Sequence, residues 1–147
     1  ILSFHFYEPF LLTHYHASWT GLRDYTGPVH YQGLLVTKAE FDKLSASVQA
    51  GAKVYVDKNR DLEKMEHMMQ APLQLAKTLG LQLYCGEYGV IKGSPEADRI
   101  RWYNDMTTIF NKHGIASANL NYKAGAFGLI ETDETRNNAM IEAILKK

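Results

Sequence analysis

Three short stretches hold side chains whose types and spacing suit chemistry better than packing. Gly86-Glu87-Tyr88-Gly89 closes an apolar run that begins at Leu81. A carboxylate between two glycines is an unusual choice for packing alone, because the missing side chains let another group approach it closely. His5-Phe6-Tyr7-Glu8-Pro9 closes a second apolar run, and Asn119-Leu120-Asn121-Tyr122-Lys123 a third. In such company Glu87 is a candidate nucleophile. Tyr7 can hydrogen-bond it and keep it ionised and aimed, and His5 can tune it electrostatically. Taken alone, Glu87 also reads as a solvated strand-end carboxylate, and His5 and Tyr7 as core side chains with satisfied polar tips.

Such stretches need strands to hold them. Residues 1–7, 81–87 and 115–122 are β-rich and apolar, and each is read as a strand. Thr37-Lys-Ala-Glu40 is a capping-box pattern that predicts a helix to about Ala50, stopped by Gly51. Lys53 to Val56 alternates and predicts a short strand. Asp57 or Asn59 is expected to cap a helix over 62–79, where Leu62, Met65, Met69, Leu73 and Ala76 recur at helical spacing before Gly80. Ser94 with Pro95 predicts a helix start, and Gly114 its end after His113. Asp133 is expected to cap a last helix ending at Lys146, its basic end suited to the helix dipole. Phe10 to Val36 shows no clear period, and a loop of that length is usually functional. The alternation of strands and helices argues for parallel strands with right-handed crossovers. In α/β barrels the reactive side chains sit at the C-terminal ends of strands, where all three stretches fall.

The 147 residues are 46% hydrophobic, enough for one domain with a real core and too apolar for disorder. Sixteen basic residues balance sixteen acidic ones, so a nucleic-acid or anionic-membrane partner is not expected. No uncharged run approaches the length of a membrane span. The single cysteine, Cys85, lies in an apolar run and reads as a buried inert thiol. Met65, Met68 and Met69 read as core or interface filler. His14 and His16, with His5 and His30, would suit zinc only with a further spaced ligand pair, so no metal is expected and they read as loop histidines. Trp19, Tyr25 and Tyr31 fit either ligand-stacking platforms or packing under the long loop. The chain opens at Ile1, inside a predicted strand and with no Met, which reads as a fragment or as a numbering that omits an upstream segment.

The three stretches, in this order, resemble the glycoside hydrolase family 5 cellulases. His5-Phe-Tyr7-Glu-Pro-Phe10, followed by Thr13-His14 and Trp19, looks like the family's sixth-strand segment, where a His and a Tyr line the sugar site. Gly86-Glu87-Tyr88-Gly89 is similar to its seventh-strand motif, whose glutamate is the nucleophile. Asn121-Tyr122-Lys123 with Gly125-Ala-Phe127-Gly128 resembles its eighth-strand segment. Two departures accompany the match. The acid/base glutamate of the family's fourth strand has no counterpart here, nor do the substrate-site Arg and the His-Asn pair of earlier strands. Leu120 stands where the family usually places a sugar-stacking Trp. Residues 34–56 fit the family poorly and receive no role.

What the resemblance implies is an α/β fold, a partial (β/α)8 barrel forming a C-terminal half-barrel over residues 1–147. The implied activity is hydrolysis of β-linked glucans or related β-glycosides, with no cofactor or metal. Glu87 would be the nucleophile, assisted by Tyr7 and His5. His14, Trp19, Tyr88, Asn121 and Lys123 are the substrate-binding candidates. Retention needs a second carboxyl group about 5–5.5 Å from the first. Glu8 is one candidate, although strand alternation places it off the face shared by His5 and Tyr7. A symmetric partner's Glu87 is another, and about 6.5–9.5 Å between the pair would mean inversion. Three strands alone leave unpaired edges and an apolar sheet face, so a homodimer or a complementing N-terminal half is expected. The alternative reading is a non-catalytic carbohydrate-binding or inert fragment. Extracellular or periplasmic localisation follows from the resemblance alone.

Overall fold

The structure, a computed structural model, describes residues 1–146. Its centre is a three-stranded parallel sheet in the order β1 (Leu2–Phe6), β4 (Leu83–Tyr88), β5 (Ala116–Asn119). Between β1 and β4 the chain passes through short helices α1 (Phe10–Thr13), α2 (Lys38–Phe41) and α3 (Ala46–Gln49). It also forms a two-stranded antiparallel ribbon of β2 (Gly33–Leu34) and β3 (Asn59–Arg60), then α4 (Leu62–Met68) and α5 (Gln70–Leu79). The long helix α6 (Glu96–His113) links β4 to β5, and α7 (Asn138–Leu145) closes the fold. Parallel strands joined through helices form part of an α/β barrel.

One face of the sheet is dry. Phe6, Leu83, Cys85 and Tyr88 pack against Trp102, Met106, Ile109 and Phe110 of α6 in a single core. Burial pushes the Cys85 thiol up to about 12, so it stays protonated. The opposite face, which would line the inside of a closed barrel, presents Ser3, His5, Tyr84, Gly86 and Glu87, all exposed or half-buried. The apolar open face expected from the sequence is therefore a polar one. Both outer strands, β1 and β5, leave one edge unpaired within the described residues.

Several predicted elements are redrawn. The helix over 62–79 is two helices, because Pro72 has no N–H and its ring would strike the carbonyl of Met68. The bend at Met69 keeps both Met65 and Met69 fully buried. Asp61, not Asp57 or Asn59, caps α4 by accepting from the Lys64 N–H, and Asp57 instead accepts from the N–H of Lys38 at the start of α2. The capping box at Thr37 and Glu40 forms, yet its helix stops at Phe41 and α3 is a separate turn. Lys53–Tyr55 is a 3-10 turn instead of a strand. Ser94 does not cap α6: its hydroxyl donates to the Leu12 carbonyl, and Pro95 takes the cap position. Asn137, not Asp133, caps α7 through the N–H of Met140.

The long segment between α1 and β2 is mostly packing. Tyr25 and Tyr31 are buried, and Tyr31 is clamped onto α6. Its backbone N–H donates to Asp98 and its hydroxyl to Asp105. Of the three aromatic candidates in this region only Trp19 faces outward, with 60% of its surface exposed. The unassigned stretch 34–56 contributes Leu35, Val36, Phe41 and Ala52 to the core.

Candidate active site

A bulge in β4 decides which side chains reach the open face. Leu83 and Cys85 point to the core, so strict alternation would send Glu87 after them and leave Tyr88 on the open face. Instead the register slips against both neighbours. Phe4 pairs with Cys85 but His5 pairs with Glu87, and Ser117 pairs with Cys85 but Asn119 with Tyr88. The extra residue is Gly86, and it turns Glu87 outward beside His5 while Tyr88 goes into the core. The flanking glycines serve the backbone. A side chain on Gly89 would meet the Leu120 carbonyl oxygen at 2.3 Å, so only glycine lets the end of β5 approach. Gly86 faces Ser3 and His5. The close approach inferred for these glycines is thus made by the protein itself.

Glu87 is held from two sides. The Tyr7 hydroxyl donates to its Oε2 at 3.0 Å, and His5 Nδ1 lies 3.5 Å from the same oxygen. Burial, the hydrogen bond to Glu87 and the Glu87 charge together raise the Tyr7 pKa well above its ordinary value. Tyr7 is therefore a donor at any physiological pH. Both Glu87 and His5 remain about half exposed, so the carboxylate is held without being sealed from an incoming molecule. Among the described residues no second carboxylate bonds to Glu87, Tyr7 or His5.

An aromatic wall stands beside this pair. His14 stacks on Phe10 with ring centres 4.0 Å apart and meets Tyr7 and Phe127 edge-on at 5.1 and 5.4 Å. Trp19 leans on His14 and Phe127 at 6.4 and 6.3 Å. The Thr13 hydroxyl donates to the Tyr7 carbonyl at 2.5 Å, so its oxygen must accept from His14 Nδ1 at 3.1 Å. That assigns the proton of His14 to Nδ1, and burial lowers its pKa, keeping the ring neutral. Thr13 and Phe127 were not singled out as site residues from the sequence. Both lie inside the quoted motifs, but only the folded chain brings them to Tyr7.

Four predicted residues stand elsewhere. Tyr88 is 2% exposed and packs on Trp102, Tyr103 and Phe110, so it is a core residue and not a substrate contact. The Glu8 carboxylate makes no hydrogen bond or ion pair among the described residues, and its charge bears on Tyr55. Its backbone carbonyl accepts from Trp102. Asn121 folds its amide back onto the carbonyls of Lys123 and Ala124, and Lys123 pairs with Glu134. Leu120 is partly buried against Phe127. Among the described residues no three His, Cys, Asp or Glu side chains gather as metal ligands, and no helix is long and apolar enough to cross a membrane.

No family model matches the chain. It is 29% identical over 135 residues to endoglucanase C of Acetivibrio thermocellus, covering 90% of this chain and 39% of that protein. Cellodextrinase A of Ruminococcus flavefaciens is 26% identical over 117 residues, covering 79% of this chain and 27% of the relative. Among solved structures, Thermotoga maritima Cel5A in complex with cellobiose superposes with a TM-score of 0.72 at 19% identity, covering 99% of this chain and 39% of that one. The cellulose synthase subunit Z of Clostridioides difficile superposes at 0.70 and 20% identity, covering 99% and 40%. The chain thus spans about two fifths of the length of the first of these relatives. These matches agree with the resemblance read from the sequence, that to the C-terminal part of a cellulase-type barrel, and the fold is a partial (β/α)8 barrel.

Proposed function

We propose that residues 1–147 form the nucleophile-bearing part of a cellulase-type glycoside hydrolase acting on β-linked glucans. The observation that carries this reading is the hydrogen bond from Tyr7 to Glu87 at 3.0 Å, on the face that would line a closed barrel. In the proposed reaction a Glu87 oxygen attacks the anomeric carbon and forms a glycosyl ester. The bond to the leaving oxygen breaks, and that oxygen takes a proton from a second carboxylic acid. Water then cleaves the ester, with the same second group accepting its proton. Tyr7 fixes the carboxylate in line for attack. His5 offers an imidazole to a sugar hydroxyl or to Glu87. Trp19 offers an exposed aromatic face to a sugar ring.

The second carboxyl group is assigned to barrel strands that this chain lacks. They would pair with the open edges of β1 and β5, either as a complementing N-terminal half or through a second copy. Activity is assigned outside the cytoplasm, where polymeric glucans are met.

An aryl β-cellobioside with an activated leaving group needs little acid assistance, so it reports on Glu87 alone. Its fluorinated analogue should leave a sugar ester on the peptide containing Glu87 and none on the Glu87→Gln protein. Equal turnover by the wild type and Glu87→Gln, or an adduct on another residue, would overturn the assignment. Sugar binding retained by both without turnover would favour a carbohydrate-binding role, the reading suggested by the missing second carboxylate near Glu87.

A further inference from the structure

Away from Glu87, between the start of α6 and the start of α7, lies an open pocket of about 500 Å³. Its charged lining is Lys92, Glu96, Arg99, Glu131 and Arg136. Three of these charges are already engaged. Lys92 pairs with Glu131 at 2.6 Å, and Glu96 accepts from the Asn137 side-chain amide at 2.8 Å. The cations are not all matched. Arg99 is only 6% exposed, yet its guanidinium makes no hydrogen bond or ion pair among the described residues, and its Nε is fully buried. Arg136 also lacks an ion-pair partner among them.

A guanidinium N–H sealed from water without an acceptor, as at Arg99 Nε, is costly, and native proteins seldom leave one so. Burial already draws the Arg99 pKa down, against the opposing pull of Tyr103, Glu96 and Glu131. The same pocket is lined by Asn138 and Ala139, the first two residues of α7. Asn137 serves the N–H of Met140, and no acceptor among the described residues meets the N–H of Asn138 or Ala139. The largely buried Arg99, its Nε sealed from water and its remaining donors open to the pocket, therefore lines the same space as the positive end of a helix.

We propose that this pocket binds a small oxyanion, a carboxylate or phosphate group, held by the Arg99 guanidinium and the first N–H groups of α7, with Arg136 at its rim. A planar guanidinium matches two oxygens of such a group, and free helix N–H groups supply further donors to the same charge. The anion comes either from free phosphate or from an acidic sugar. The site does not depend on the role of Glu87.

The test is thermal unfolding of the chain in sodium phosphate, in sodium glucuronate and in sodium chloride at matched ionic strength. The wild type should gain stability saturably with phosphate, glucuronate or both. Phosphate alone would identify a free-anion site, and glucuronate alone an acidic-saccharide site. Arg99→Met should lose the response and unfold no earlier than the wild type in chloride, since the unpaired buried charge is gone. Should Arg99→Met fail to fold, the exposed Arg136→Gln carries the test, with half-saturation moved up about tenfold, as expected for loss of one charge-assisted contact. No saturable response to either anion would overturn the proposal. So would a response that Arg99→Met, or in its absence Arg136→Gln, leaves unchanged.

Discussion

The Tyr7 hydroxyl reaches across to a neighbouring strand and donates to Glu87 Oε2 at 3.0 Å, although the two residues lie 80 positions apart in the chain. Removing only the hydroxyl, as in Tyr7→Phe, keeps the ring against His14 and Phe127. The fold should persist. In the proposed hydrolysis kcat should fall by about tenfold to a hundredfold, the usual worth of one hydrogen bond to a charged group, with little change in KM. Steady-state kinetics on an aryl β-cellobioside checks the split.

The same contact sets an alkaline limit. The Tyr7 pKa is raised in the folded protein, so the native state holds this proton more tightly than the unfolded chain does. Its stabilising contribution is complete below the unfolded value near 10 and is lost as pH climbs past it toward the folded value. In a titration followed by tyrosinate absorbance, Tyr7→Phe should remove signal only well above the ordinary tyrosine value.

Gly86 and Gly89 should respond differently to alanine. At Gly89 the new carbon meets a backbone oxygen at 2.3 Å, which cannot move without shifting β5. A loss of about 3 kcal/mol is expected, the upper range for overpacking. At Gly86 the nearest atom is the Ser3 hydroxyl oxygen at 3.1 Å, which can rotate away. That substitution should cost less than about 1 kcal/mol. Urea denaturation of both variants gives the comparison directly.

Trp19→Ala should separate binding from folding. The indole is largely exposed, so stability should change by less than about 0.5 kcal/mol. If the ring stacks on a sugar, the affinity for cello-oligosaccharides should drop several-fold. Fluorescence titration for the wild type, with calorimetry for the variant, measures this, and equal affinities would remove Trp19 from the binding surface.

At acid pH the capping box at α2 should be one of the sensitive elements. The Thr37 N–H first, then its hydroxyl and His30, hold the Glu40 pKa down to about 2. A depressed carboxylate pKa contributes stability above its unfolded value of 4.5 and loses it as pH falls toward 2. Glu40→Gln should therefore cost about 1 kcal/mol at pH 7 and much less at pH 3, as read from urea unfolding at the two values.

Local patterns legible in the sequence include the strand character of β1, β4 and β5, the capping box at Thr37, and the left-handed stops at Gly80 and Gly114. Each depends on neighbours a few residues apart, so the chain states it without help from the fold. The ordered stretches around Tyr7, Glu87 and Asn121 also announced the barrel, though not the polar character of its open face. The break at Pro72 is local as well, yet the apolar spacing over 62–79 predicts one helix where there are two. The direction in which Glu87 and Tyr88 point was not legible. It depends on a register slip at Gly86, and a slip is a property of three paired strands, which no single strand's alternation contains. Nor could spacing alone send Asn121 into its own turn, bury Tyr31 against Asp105 or leave Arg99 without a partner. Those outcomes were settled where distant segments compete for the same donors, acceptors and dry surface, and that competition exists only once the chain has folded.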